Sequence, residues 1–185
     1  MLGRTPTEFE WQAIQMRTSS VDREFVYAIT TTKIFCKPSC PSCKPDVEHV
    51  RIYKNSDLAM ESGYYPCKRC KPGGLKLSNQ DWTNQMNAYM DQYYQEHITL
   101  RVLADEFHSS PYHLQRVYKS VKGYTPTEYL QKVRIQRAVE LLKHTYLSVE
   151  EIGHQVGLHN TSYFITLFKN LVGTTPKQYK KTLES

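Results

Sequence analysis

A chain of 185 residues with 39% hydrophobic content has room for one large domain or two small ones, and suits a globular protein. No apolar run approaches the roughly 20 residues that cross a bilayer, and the opening Met1-Leu2-Gly3-Arg4-Thr5-Pro6 leads into acidic and aromatic residues instead of a signal-peptide core, which argues against a membrane or secreted protein and for the cytoplasm. The balance of 24 Lys and Arg against 18 Asp and Glu, net +6, favours an anionic partner.

In chain order, residues 7–16 read as a helix, with Thr7-x2-Glu10 as a capping box and Phe9, Ala13 and Met16 on one face. Residues 25–32, rich in β-branched and aromatic side chains, read as a strand, and 50–53 as a second, shorter one. Residues 55–62 read as a helix with Asn55 or Ser56 as N-cap and Gly63 just past its end.

All five cysteines lie in this first region. Cys36-x3-Cys40 and Cys67-x2-Cys70 are two short-range pairs set among prolines and positive charges. Two such pairs brought together by folding supply four thiolates, the ligand set of a closed tetrahedral zinc site, in a compartment where thiols stay reduced. Cys43 is left over. A core this small needs its metal to hold the fold. The seven histidines show no metal-ligand spacing.

After Lys71-Pro72-Gly73-Gly74 cysteine vanishes and amphipathic patterns begin. We place a small α+β zinc-binding domain at 1–74, a linker at 75–79, and an all-α domain at 80–185. Helices are expected at 81–96, 100–107, 110–121, 127–143, 149–156 and 161–172.

The second region holds a degenerate duplication. Leu114-Gln115-Arg116-Val117-Tyr118-Lys119 followed by Gly123-Tyr124-Thr125-Pro126-Thr127-Glu128-Tyr129 recurs as Phe164-Ile165-Thr166-Leu167-Phe168-Lys169 followed by Gly173-Thr174-Thr175-Pro176-Lys177-Gln178-Tyr179. A short helix precedes each copy, so each reads as a helix-turn-helix, and the long helix between them would aim both second helices along one face of a duplex. Ala104 and Gly153 let the paired helices approach. Leu114, Val117, Tyr118, Phe164, Leu167 and Phe168 are core by spacing. Tyr112, His113, Gln115, Arg116 and Lys119 in the first copy, and Thr161, Ser162, Ile165, Thr166 and Lys169 in the second, remain for base edges and phosphates.

At this point a resemblance becomes visible. Residues from about 80 to 181 resemble the DNA-binding region of AraC/XylS-type transcription activators, through the two helix-turn-helix units and the paired Gly-x-Thr-Pro-x-x-Tyr endings. Residues from about 8 to 74 resemble the N-terminal domain of Ada methylphosphotriester repair proteins, through Phe25-Val26-Tyr27-Ala28, Cys36-x-Pro38-Ser39-Cys40-Pro41-Ser42 and Pro66-Cys67-x-Arg69-Cys70-x-Pro72. The resemblance implies that Cys36, Cys40, Cys67 and Cys70 bind zinc. It further implies that Cys36 irreversibly accepts a methyl group from methylphosphotriesters in double-stranded DNA. The methylated protein would then bind a specific promoter and, with RNA polymerase, activate the response to alkylation. Lys33, Lys37, Lys44, Lys68 and Arg69 are the candidate phosphate contacts of the first domain. The chain departs from the family's pattern at Cys43 and Tyr65, where arginine is usual, at Lys33, a usual turn glycine, and at Thr166, often arginine. Two other readings stay open: a zinc-containing transcription factor without methyl transfer, and a thiol redox sensor in which Cys43 pairs with a ligand.

Overall fold

The computed structural model describes residues 3–42 and 45–183; Cys43 and Lys44 lie outside the described residues. The first part is a four-stranded sheet with two helices: α1 (Glu8–Met16), β1 (Val26–Ile29), β2 (Ile34–Cys36), β3 (Val50–Tyr53), α2 (Ser56–Glu61) and β4 (Tyr65–Pro66). The strand order is β3-β1-β2-β4. β1 pairs antiparallel with β2 and β3, whereas β2 and β4 run parallel. The strand expected at 25–32 ends at Ile29. There the chain turns, Lys33 donates its N–H to the Ile29 carbonyl at 2.9 Å, and Lys33 takes a left-handed φ of 57°.

Side chains on a strand alternate between faces, and here both faces are buried. Tyr27, Ile29, Ile34, Cys36, Val50 and Ile52 join one core cluster, while Val26, Ala28, Phe35 and Tyr53 pack with Ala59 and Tyr64 in another. That double burial explains why β1 reads as a continuous apolar run without a polar alternation.

The face expected for α1 is a correction. Phe9 and Met16 are exposed, and Glu10, Ala13 and Ile14 point inward. Glu10 can be buried because Arg4 meets it with two hydrogen bonds, at 2.6 and 2.7 Å, while Thr7 N–H donates to it at 2.9 Å. The capping box expected at Thr7 and Glu10 is formed.

The second part is helical: α3 (Asn79–Tyr93), α4 (Leu100–Glu106), α5 (Pro111–Lys122), α6 (Pro126–His144), α7 (Val149–Gln155), α8 (Thr161–Val172) and α9 (Pro176–Leu183). None of the helices is long and apolar enough to cross a membrane. Local chemistry sets the boundaries. Ser78, Thr99, Ser110, Thr125, Ser148 and Asn160 each cap a helix start through a side-chain oxygen. Gly123 and Gly173 end α5 and α8 in the left-handed conformation, after which Pro126 and Pro176 open the next helix. The last helix, α9, was not among the expected ones.

Leu114, Val117, Tyr118, Phe164 and Phe168 are buried as expected; Leu167 is only half-buried. The long helix α6 serves both halves. Leu130 belongs to the cluster that contains the sheet, whereas Ile135, Ala138 and Leu142 pack with Ile152, Val156, Leu158, Phe164 and Phe168. Arg134, on α6, donates to the carbonyls of Tyr94 (2.8 Å) and Glu96 (2.7 Å), tying it to the end of α3.

Small residues do bring the paired helices together. Ala104 is fully buried. A Cβ on Gly153 would meet the Leu158 carbonyl oxygen at 3.0 Å and Phe164 Cδ1 at 3.2 Å. Alanine favours a helix over glycine by roughly 1 kcal/mol, but crowding against a backbone oxygen outweighs that. Gly153→Ala is expected to cost a net ~1–2 kcal/mol, seen as a lower urea midpoint with an unchanged slope.

The Arg4 guanidinium, with burial opposing it and Thr7 assisting, holds the Glu10 carboxyl down to about 2 against an ordinary 4.5. Its stabilisation is therefore complete above about pH 4.5 and is lost as the pH falls toward 2. Melting temperatures across that window should fall more steeply for the native chain than for Glu10→Gln.

Candidate metal centre and nucleic-acid surfaces

The sheet delivers the sulfurs. Cys36 ends β2, and Cys67 follows β4 directly, its N–H donating to the Phe35 carbonyl at 3.0 Å. Tyr65 N–H does the same to the Lys33 carbonyl at 2.8 Å. The parallel β2–β4 pairing thus sets the two cysteine pairs side by side. Tight turns then bring round their partners: Cys40 N–H donates to the Lys37 carbonyl at 3.0 Å, and Lys71 N–H to the Cys67 carbonyl at 2.9 Å.

The loop that carries Cys40 is tied down. Ser39 donates its N–H and hydroxyl to the Asp22 carboxylate at 3.0 and 2.6 Å, and Arg17 donates to the Ser42 carbonyl at 3.1 Å. Ser42 Oγ lies 3.1 Å from Cys40 Sγ.

The four sulfurs of Cys36, Cys40, Cys67 and Cys70 all lie within 4.8 Å of one another, the first three buried and Cys70 half-buried. Four sulfurs around a tetrahedral Zn²⁺ at ~2.3 Å sit roughly 3.8 Å apart, so the cluster has the right size. Burial, then hydrogen bonding to its neighbours, pushes the Cys36 thiol far up, and Cys70, lowered by Cys36 but raised more by Cys40 and Cys67, also lies high, whereas the hydrogen bonds of Cys36 hold Cys40 and Cys67 below the ordinary thiol value. Buried thiolates need a cation close by. Among the described residues this is the one cluster of three or more potential ligands.

The basic residues expected around the metal are scattered. Lys37 pairs with Asp22 at 3.5 Å, and Lys33 sits on the β1–β2 turn with its ammonium 5.2 Å from the Tyr64 ring centre. Lys68 lies 4.4 Å over the Trp82 ring of α3 and hydrogen-bonds Asn79. Arg69 is exposed. Lys68 and Arg69 meet His113 of α5 at one cleft, together with His108, Ser109, Ser110 and Trp82. No sequence spacing links those last four to the cysteines, so a reading of the chain alone passes them by.

On α5, Tyr112, His113, Gln115, Arg116 and Lys119 are all exposed. On α8, Ser162, Thr166 and Lys169 are exposed, with Thr161 and Ile165 half-buried. The Thr166 hydroxyl donates to the Ser162 carbonyl at 2.9 Å, so its donor is already used within the helix.

Residues 10–73 match the family described as the metal binding domain of Ada, and residues 103–182 match a helix-turn-helix domain. The bifunctional transcriptional activator/DNA repair enzyme AdaA of Bacillus subtilis is 41% identical over 175 residues, covering 95% of this chain and 83% of that protein. The chain belongs to the Ada family of bifunctional transcriptional activators and DNA repair enzymes. Its Escherichia coli member, Ada, is 33% identical over 170 residues, but this chain spans only 48% of that protein. Among solved structures, the C-terminal domain of AraT, a response regulator from Geobacillus stearothermophilus, matches 55% of this chain and 84% of its own at 32% identity and a TM-score of 0.53. The sheet unit is thus an Ada zinc-binding domain with Cys36, Cys40, Cys67 and Cys70 as its metal cluster, and the helices form an AraC-type helix-turn-helix domain.

The cluster that contains the cysteines also contains Trp82, Met86, Met90, Leu103, Ala104, Phe107, Leu114 and Tyr118. Metal loss is therefore expected to reach beyond the sheet. Freshly purified reduced protein should carry one zinc per chain. Cys40→Ser, or chelation, should strip hydrogen-exchange protection from β1–β3 and from α3 and α4, while the Ile152–Phe168 cluster keeps its own.

Proposed function

We propose that this protein removes methyl groups from methylphosphotriesters in double-stranded DNA. Cys36 takes the methyl irreversibly, and the methylated protein then binds a specific promoter in the cytoplasm and recruits RNA polymerase to the genes that answer alkylation. The observation that carries the reading is the buried four-sulfur cluster standing beside an exposed recognition helix in one chain of the Ada family.

Bound zinc keeps the four sulfurs in the thiolate form at neutral pH. The Cys36 sulfur attacks the methyl carbon; a sulfur–carbon bond forms as the carbon–oxygen bond breaks, and the electron pair leaves on a phosphodiester oxygen. That leaving group is a stable anion, so no general acid is required, and the thioether that forms is inert at neutral pH. Each molecule reacts once. Methylation also removes one negative charge from a site next to a polyanion. Attraction between the basic helix faces and the duplex is then opposed less, by about 332/(ε·r) kcal/mol with an effective ε near 20.

Burial sets a condition on this step. Cys36 is fully enclosed, so the sulfur must be uncovered as the lesion docks. Cys70 is the half-buried member of the four, and this exposure favours a second reading in which Cys70 takes the methyl. Incubation with phosphotriester-bearing duplex followed by peptide mass spectrometry decides between them. The expected result is one methyl on the Cys36 peptide and none on that of Cys70, with transfer abolished by Cys36→Ala. An unmodified chain would leave a zinc-containing transcription factor without repair activity.

A further inference from the structure

The cleft between the Cys67–Cys70 loop and the first helix-turn-helix has a volume of about 380 Å³. Lys68 and Arg69 line it from the loop, His108 and Ser110 from the turn before α5, His113 from α5 and Trp82 from α3. Among the described residues that line it, none is acidic. Ser110 caps α5, a 12-residue helix, so the positive end of that helix opens on the cleft. His108 is only 9% exposed, and both of its ring nitrogens lack a hydrogen-bond partner. A buried polar group left poorly paired is costly; its ring nitrogens have almost no open surface, so an acceptor in the cleft meets them when the ring turns toward it. Trp82 cannot act as a stacking platform for a base: it is 2% exposed and Lys68 covers its face. Basic side chains, a helix start and an unpaired imidazole, without an acid or an open ring, select a compact oxyanion.

We propose that this cleft is a phosphate site shared by the two domains. In it, one backbone phosphate of duplex DNA is held by Lys68 and Arg69 of the metal-binding loop together with His108, His113 and the start of α5. The site rests on duplex DNA being the partner, and not on the methyl-transfer chemistry. Duplex is favoured over free phosphate because α5 continues from the cleft into the exposed row of Gln115, Arg116 and Lys119, so an anion in the cleft lies in line with the groove-reading face. A shared phosphate would fix the metal centre at a set distance from the recognition helix, whether or not a lesion is present.

The test is a double-mutant cycle on the full zinc-loaded chain binding an undamaged duplex. Lys68→Met keeps the side-chain stem on Trp82 and removes the charge; His113→Ala removes the partner across the cleft. Each is expected to weaken binding roughly 3–10-fold, with the pair no more than about twofold worse than the weaker single. The slope of log affinity against log salt should fall by about 0.9 in Lys68→Met and by about the same in the pair, as for one lost phosphate, and little in His113→Ala alone. Fully multiplicative losses would mean two separate contacts and overturn the shared site. Unchanged affinity in both singles would overturn it as well. In a second arm, inorganic phosphate is titrated while the Trp82 indole N–H is followed by NMR. A saturable shift, lost in Lys68→Met, is expected. Saturation by inorganic phosphate with duplex binding unmoved by the variants would assign the cleft to a free anion and overturn the DNA site. Should Lys68→Met lose zinc, Arg69→Gln, at an exposed position, takes its place in the cycle. Methyl transfer to Cys36, measured on the same preparations, separates failure of the repair reading from failure of this one. A native chain that binds no duplex would overturn both.

Discussion

A single backbone hydrogen bond, from Cys67 N–H to the Phe35 carbonyl, completes the geometry on which the metal cluster depends. It continues the pairing of Ile34 with Tyr65 and Phe35 with Pro66, and it sets the second cysteine pair against the first. The direction in which Cys36 points is fixed by its neighbour. Phe35 packs toward Ala59 and Tyr64 on one face of the sheet, which leaves Cys36 on the other with Tyr27 and Ile34. A register slip of one residue would exchange Phe35 and Cys36 and scatter the sulfurs. Burial on both faces makes such a slip expensive, so apolar packing and metal binding favour the same register.

What could be read from the chain follows the range of the interactions involved. The caps are local, and Ser110, Thr125 with Glu128, and the glycines at 123 and 173 mark their helix ends plainly. The cysteine spacing is equally local and names all four sulfurs. β2 and β4 are not legible, because strands of three and two residues containing Cys and Pro exist only through their neighbours. The inward side of α1 is hidden because the burial of Glu10 depends on Arg4, outside the helix and invisible to periodicity. Helix α9 is short and basic, and its apolar side is only Pro176, Tyr179 and Leu183, so the strip is easily passed over in the sequence. Its start nevertheless repeats the Thr125-Pro126-x-Glu128 chemistry as Thr175-Pro176-x-Gln178, with Thr175 and Gln178 bonded in the same way. His108 escapes notice because the groups that give it meaning come from Lys68, Arg69 and Trp82, far away in sequence.

The two helix-turn-helix copies are alike in pattern and unlike in support. In the second, Gly157 takes φ of 74° at the turn, and a Cβ there would meet the Gln95 carbonyl oxygen at 2.6 Å. In the first, the equivalent turn residue is His108, with φ of 55°, a conformation that costs a non-glycine residue about 1–2 kcal/mol. The surrounding packing has to hold it there. The first copy shares a core cluster with the sheet through Leu103, Phe107 and Leu114, while the second closes its own cluster with the far half of α6.

That shared cluster also bears on how the chain is made. The core cluster that begins with Cys36 and its neighbours in the sheet is completed in part by Trp82, Met86, Phe107, Tyr118 and Leu130. None of these has left the ribosome when Cys70, the last of the four sulfurs, emerges. Synthesis runs from the N-terminus, and apolar surface left open in the meantime is prone to aggregate. The cluster that starts in the nascent sheet is therefore complete only some sixty residues later, counted from Cys70 to Leu130. A metal ion taken up in that interval would cross-link the two cysteine pairs early and shorten the loop that the helices have still to close.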